Sequence, residues 1–541
     1  MGDPLDYLSW LDDLVGKSLR HLNNLCTVDD KFQVSELDKY QQAIYELSLG
    51  TSEIQCAIQY LDYATTRGDY ERRLAATFAA ESILNASSRL RRSPGDFGLS
   101  GDDLAAPSGC REFCEEHASH KHLARLGEEI VNRQGDLGDR GLDEEKSLMA
   151  STFRQFANEV VAPRAEEIHR DDLIIPDEIL DGIRELGCFG LSVPERYGGL
   201  LPDDHEDSLG MIVVTEELSR ASLGGAGSLI TRPEIMARAL LEGGTEEQKT
   251  YWLPKIASGK PLCAIAITEP DYGSDVASMR LKATVTENGW LLNGAKAWCT
   301  FAGKSGVLLT LARTDPDLSL GHRGLSLFMV EKPSTDKEEF EFTQDAGGRL
   351  SGSSIPTIGY RGMHSYQLFF DDYFVPASHV IGEGQGIGRG FYFTMRGFMG
   401  GRIQTAARAC GVMQGAFEAA LNYATDRHVF GKPVADYQLT LIKFARMGIY
   451  LAACRQFTYH VGRLMDSGEG QMEASLVKLL ACKASESITR EAMQIHGGMG
   501  YAEETAASRY WLDARVLSIF EGTEETLALK VVGRSLVEKN S

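Results

Sequence analysis

The chain has 541 residues, 43% of them apolar and 24% charged, the balance of an ordinary globular protein large enough for several cores. A formal net charge of -22 argues against nucleic acid or an anionic membrane as the main partner, and still allows a local basic pocket for an anionic small ligand. No apolar run reaches the length of a membrane span, Met1-Gly2-Asp3-Pro4 opens neither a basic nor an apolar leader, and ten scattered cysteines fit reduced cytoplasmic thiols rather than a disulfide framework.

Residues 5–92 read as helical. Ser35-Glu36-Leu37-Asp38 offers a cap to a run with apolar residues at Leu37, Ile44, Leu47, Ile54, Ile58 and Leu61, and a second helix is expected over 70–90. Segments 93–109 and 135–141 are punctuated by glycine and proline; they bracket a short charged helix and read as a linker. Helices resume from about 142 to 257, interrupted at Ser192-Val193-Pro194. Over 263–380, Thr, Val and aromatic residues come in short runs between turn signals, the pattern of antiparallel β structure. Helical periodicity returns from Gly388 to Leu536. The expected fold is mostly α with a central β domain. It divides into a helical N-terminal extension and linker (1–141), an N-terminal helical domain (142–262), a middle β domain (263–384) and a C-terminal helical domain (385–541).

One internal echo stands out. The run from Tyr40-Gln41 to Ala80-Glu81-Ser82 matches that from Tyr437-Gln438 to Ser485-Glu486-Ser487: a long helix, a polar turn, an Ala-rich helix. Two explanations stay open, the general likeness of Ala/Glu-rich amphipathic helices and a degenerate duplicate. A duplicate would be structural, because it lacks counterparts of Gly497-Gly498 and of Glu521-Gly522-Thr523.

Several blocks carry chemistry. In Phe520-Glu521-Gly522-Thr523 a carboxylate beside a glycine suits a general base, and the Gly-Gly turn of Gln494-Ile495-His496-Gly497-Gly498-Met499-Gly500 lets backbone approach a cofactor closely. Ile267-Thr268-Glu269-Pro270-Asp271-Tyr272-Gly273-Ser274-Asp275 offers hydroxyls and turn N–H groups to a polar ligand. Trp298 and Thr300 share one face of a strand, where one side chain covers a planar ring and the other bonds its edge; a buried strand Trp is the bland alternative. Arg427-His428-Val429-Phe430-Gly431-Lys432-Pro433, with Gln438 beyond, groups a cation, an aromatic and a glycine turn suited to a diphosphate and an adenine, or forms merely a helix end and a loop.

Together these blocks resemble the acyl-CoA dehydrogenase family over residues 143–537, in its order and approximate spacing. The resemblance implies a helical domain, an antiparallel β-barrel domain and a C-terminal four-helix bundle, with the N-terminal extension added. It implies FAD as cofactor, an acyl-CoA substrate, electron transfer flavoprotein as acceptor and a homo-oligomer. Ile267, Thr268, Gly273, Ser274, Trp298 and Thr300 match positions along the flavin and its ribityl chain. Arg427, Phe430, Gln438, Gln494 and Gly498 match positions that hold the ADP part, partly across a subunit interface, and Thr523 and Glu525 lie in the segment closing over it. Glu521 matches the base that removes the α-proton of the thioester while the β-hydrogen leaves as hydride to the flavin; the thioester oxygen is then held by the N–H of the base residue and a ribityl hydroxyl. Some members place the base in the helix after the β domain; the matching position is Gly401, which has no carboxylate.

Arg232 stands in the region that shapes the acyl pocket, Arg396 and Arg402 flank the helix that passes the substrate, and Ser274 and Gly522 are expected at the thioester. Converging arginines suit a carboxylate at the far end of a short acyl chain, so the substrate expected is a short branched dicarboxylyl-CoA; a general family role for Arg402 and structural roles for Arg232 and Arg396 form the alternative. Family members usually assemble as dimers of dimers through the C-terminal helical domain, and a fused copy of that domain would cover the same face and stop assembly at a homodimer. Cys110, Cys114, His117, His120 and His122 lack the paired knuckles of a zinc site, and no metal is expected. Residues 382–388 do not sit in a βαβ unit and read as a loop before a helix; His496 reads as a packing residue. A dehydrogenase of another short-chain acyl-CoA, an acyl-CoA oxidase and a catalytically silent binding protein are the rival functions.

Overall fold

A computed structural model describes residues 2–539. The chain divides into two compact units, one built from 1–148 with 405–541, the other from 149–404.

The first unit opens with α1 (Pro4–Leu25), whose N-terminus is capped by the Asp3 carboxylate accepting from Leu5 N–H. A two-residue hairpin follows, β1 (Thr27–Val28) and β2 (Lys31–Phe32), then α2 (Gln41–Thr65) and α3 (Asp69–Arg92). Next come α4 (Cys110–Ala118) and α5 (His120–Asn132). The stretch expected as a linker is therefore part of the packed unit. Its stripe Leu123, Leu126, Gly127 and Ile130 is buried, and Gly127 lets α5 press directly on α14 (Gln438–Asp466), since a Cβ there would stand 1.9 Å from the Leu441 carbonyl oxygen. Arg140 closes the extension, its carbonyl accepting from Gln456 at 3.0 Å and its guanidinium donating to Tyr459.

Short helices α6 (Glu144–Phe156), α7 (Ala162–Arg170) and α8 (Asp177–Glu185) precede α9 (Ser208–Ala221), α10 (Thr231–Gly243) and α11 (Glu246–Ala257). In the second unit the helices from α6 to α9 pack around Phe153, Ile179, Ile183, Leu218 and Leu229, whereas α10 and α11 pack through Ile235, Leu240, Trp252 and Leu253 on Leu309 and Leu327 of the sheet. The sheet that follows has eight strands: β3 (Cys263–Ala266), β4 (Lys282–Val285), β5 (Gly289–Thr300), β6 (Val307–Arg313), β7 (Leu325–Glu331), β8 (Glu339–Thr343), β9 (Arg349–Ile355) and β10 (Ser365–Pro376). The order is β3-β6-β4-β5-β10-β9-β8, with β7 on β6. Most pairs are antiparallel as expected, but β3 lies parallel to β6, a pairing that needs a long crossover; the β4–β5 hairpin lies within that connection.

After the turn α12 (Glu383–Gly386), α13 (Gly390–Asp426) leads to hairpin β11 (His428–Val429) and β12 (Lys432–Pro433), then α14, α15 (Gln471–Ile495), α16 (Ala506–Leu517) and a tail ending in a π-helical stretch Leu527–Gly533 and Arg534–Lys539. The internal echo extends further than the sequence match. Helix, hairpin, 3-10 turn, helix, turn, helix recur in the same order from α1 to α3 and from α13 to α15. Both hairpins turn on two left-handed residues, Asp29-Asp30 at φ 50° and 57° and Phe430-Gly431 at 49° and 85°. This agreement favours the duplicate over a chance likeness of helices.

Candidate active site

In the second unit two segments bear expected flavin-side residues, the loop leaving β3 and the end of β5. One buried ion pair fastens them together. Lys296 of β5 is fully buried; its ammonium donates to the Ile267 carbonyl at 2.7 Å and to Glu269 at 2.9 Å. The Glu269 carboxylate also accepts the N–H groups of Arg280 and Leu281 at 2.8 Å each, and Ala297 N–H donates to the Thr268 carbonyl at 2.8 Å. Burial pushes the Lys296 ammonium below its ordinary range while Glu269 works against that shift. Thr268 is half-buried, and Gly273 and Ser274 are exposed beyond the turn. Thr300 shares a hydrogen bond with Ser365 at 2.9 Å.

Trp298 is not the buried strand residue of the bland alternative. A register shift against β10 interrupts the ladder there, Trp298 takes φ 57°, and its side chain is 57% exposed beside the buried Cys299. The expected acyl-pocket arginines lie in the same unit. Arg232 is buried, donating to the Ser228 carbonyl at 2.6 Å and the Tyr360 hydroxyl at 2.9 Å. Arg396 is exposed, 3.7 Å from Glu242. Arg402 is half-buried on α13, next to the buried Gly401.

In the first unit, Arg427 follows the last residue of α13 with an exposed side chain. Phe430 stands 98% exposed at the hairpin tip, pinned from below by the Tyr437 hydroxyl donating to the Val429 carbonyl at 2.6 Å, and Gln438 opens α14, also exposed. Gln494 is exposed in the last turn of α15. His496 stacks on Tyr423 with ring centroids 4.5 Å apart, and burial lowers its pKa, in keeping with a packing role. Gly497 and Gly498 follow with open space where a Cβ would stand.

The turn after α16 carries Glu521 at φ 55° and Gly522 at φ 93°. Lys478 of α15, itself buried, donates to the Phe520 carbonyl at 2.8 Å and the Gly522 carbonyl at 2.5 Å, clasping the backbone on both sides of Glu521. The Arg408 guanidinium lies over the Phe520 ring, 4.6 Å from its centroid. Thr523 caps the next helical turn through Thr526 N–H at 3.3 Å, and Glu525 is exposed. Glu521 Oε2 is buried with no hydrogen-bond partner. A buried carboxylate oxygen without a partner, in a left-handed turn, is the kind of group that general-base chemistry calls for.

These features fit the expected cofactor. Each unit by itself carries part of what such a ligand needs: in the second, Trp298 is exposed and left-handed; in the first, Phe430 is exposed and left-handed and the Gly497-Gly498 backbone is open. Lys296, Glu269 and Lys478 were not singled out from sequence; the signal for Lys296 was a charge among the apolar residues of a strand.

The acyl-CoA dehydrogenase N-terminal, middle and C-terminal domain families match residues 143–260, 264–373 and 388–537. A (2S)-methylsuccinyl-CoA dehydrogenase of Cereibacter sphaeroides is 42% identical over 403 residues, 74% of this chain and 71% of the relative. Among solved structures, butyryl-CoA dehydrogenase from Megasphaera elsdenii superposes with a TM-score of 0.67 at 30% identity, over 74% of this chain and 99% of that one. A glutaryl-coenzyme A dehydrogenase glutaryl-CoA complex gives 0.66 at 28%, over 73% and 95%.

Proposed function

The chain belongs to the acyl-CoA dehydrogenase family, FAD-dependent oxidoreductases acting on CH–CH bonds, and from that premise we propose that it converts (2S)-methylsuccinyl-CoA to mesaconyl-CoA with Glu521 as base. The observation that carries the role of Glu521 is its buried, unpartnered Oε2. FAD supplies the acceptor for the β-hydrogen and its electron pair. Glu521 Oε2 takes the α-proton, held in place by the Lys478 clasp on the flanking carbonyls. Thr268, Ser274, Trp298 and Thr300 hold the flavin side, and Arg427, Phe430, Gln438, Gln494 and Gly498 the ADP side. Electrons then pass to electron transfer flavoprotein. The setting proposed is the ethylmalonyl-CoA pathway in the cytoplasm.

The dicarboxylyl substrate is supported by the 42% identical relative and by the buried guanidinium of Arg232. Arg232→Ala or Arg402→Ala should lower kcat/KM for methylsuccinyl-CoA by about 10- to 100-fold, the scale of a lost charged hydrogen bond, and spare a simple short acyl-CoA. Steady-state kinetics on the two thioesters with an artificial acceptor decides it: equal kinetics in both variants and wild type rules the arginine pocket out.

The assembly proposed is a homodimer. The extension helices pack on α14 and α15, and α1–α3 repeat the element order of α13–α15. Light scattering should give twice the chain mass at working concentration; a tetramer disproves the capping role.

A further inference from the structure

The tail that carries Glu521 is fastened to the N-terminal extension as well as to its own helices. Tyr45 of α2 donates its phenol to the carboxylate of Glu524, three residues past Glu521. Lys483 of α15 donates to the same carboxylate oxygen at 2.9 Å and to the Tyr45 oxygen at 3.1 Å. Burial works to raise the Glu524 carboxyl, but the bonds from Tyr45 and Lys483 outweigh it and hold the group below the usual carboxylate range. Glu524 is thus an ionised anchor.

Little slack separates that anchor from Glu521. Glu524 N–H donates to the Ser518 carbonyl at 3.0 Å, Thr523 caps the turn, and Lys478 clasps the carbonyls of Phe520 and Gly522. Beyond it, Ser48 of α2 donates to the Ala528 carbonyl at 2.8 Å, in a π-helical register that a regular helix would not choose. Gly533 then lets the tail lie against α2, because a Cβ there would stand 2.1 Å from Ile44.

We propose that α2 of the extension positions the catalytic base, with Tyr45 as the positioning residue acting through Glu524. The inference rests on Glu521 being the base. A left-handed glutamate persists only where its surroundings over-determine it. Lys478 fixes the carbonyls on either side of it, and the Tyr45–Lys483–Glu524 cluster fixes the chain that follows. The extension is on this view part of the active-site support, over and above any cover it gives to α14 and α15.

The test uses the full-length, FAD-loaded enzyme. Tyr45→Phe keeps the ring and removes the bond; kcat should fall roughly tenfold, about 1.4 kcal/mol of barrier. KM and FAD retention should stay within about twofold, and exchange of the α-proton of a bound, non-oxidisable acyl-CoA analogue with D2O should slow in step with kcat. Glu524→Gln cuts the same link from its other end and should match it, with little further loss in the double variant. Wild-type kcat and exchange in Tyr45→Phe overturn the proposal, as does an effect confined to KM or flavin retention; if Tyr45→Phe does not fold, Glu524→Gln decides on the same readouts. Glu521→Gln keeps the two ideas apart. Turnover retained there removes the base reading, whereas a dead Glu521→Gln beside a wild-type Tyr45→Phe removes only the positioning role.

Discussion

Glu521→Gln should leave a folded, yellow enzyme that binds its thioester and reduces its flavin about a thousandfold more slowly, or worse. The amide keeps the size of the carboxylate and cannot accept the α-proton. Neighbouring acids are poor substitutes. Glu524 is held by Tyr45 and Lys483, and Glu525 is exposed to solvent. Gly401, the alternative base position, carries no side chain. Anaerobic flavin bleaching on addition of acyl-CoA reads the step directly; bleaching at the wild-type rate would show that another group takes the proton. Unchanged flavin absorbance and thioester binding must accompany the loss, or the variant has merely collapsed the turn.

The second large effect is expected at Lys296. Lys296→Met leaves the Glu269 carboxylate buried with two backbone donors but without its cation, and Glu269→Gln leaves a buried ammonium facing a neutral amide. Removing one partner of a buried ion pair costs on the order of 3–5 kcal/mol. The loss falls on the bonds that join Ile267 and Thr268 to β5, so the flavin-side loop should loosen before the rest of the unit unfolds. FAD should be released at lower temperature in each single variant, and the double variant should lose less than the two singles combined. Flavin fluorescence during a thermal ramp measures this. A release temperature equal to wild type in Lys296→Met would mean that the pair does not set the loop.

The family and the order of its domains were legible because the motifs lie in contiguous blocks: a reader can see Phe520-Glu521-Gly522-Thr523 without knowing where the chain goes. Backbone strain was not legible. Trp298, Phe430 and Glu521 all take left-handed φ values, which composition does not announce for such side chains. Segments 93–109 and 135–141 read as a linker around a short charged helix because glycine and proline punctuate them; yet it is Gly127, a residue that normally signals a break, that brings α5 onto α14. Tyr45 offered no signal at all. Its partner lies 479 positions away, and only folding brings them together.

The two-unit layout also governs how the chain reaches its native state. Residues 149–404 form one uninterrupted stretch, so their contacts close without waiting for the rest. The other unit is split around them: Asn23 donates to the Val537 carbonyl at 2.9 Å, and Lys530 pairs with Asp38 at 2.5 Å. Its halves join only when sequence-distant ends meet, the slow class of contact, and until then the faces that α2, α3 and α5 pack on α14 are uncovered. Damage to the last few turns of the tail would therefore be felt at the opposite end of the sequence, as unsheltered helices prone to aggregate.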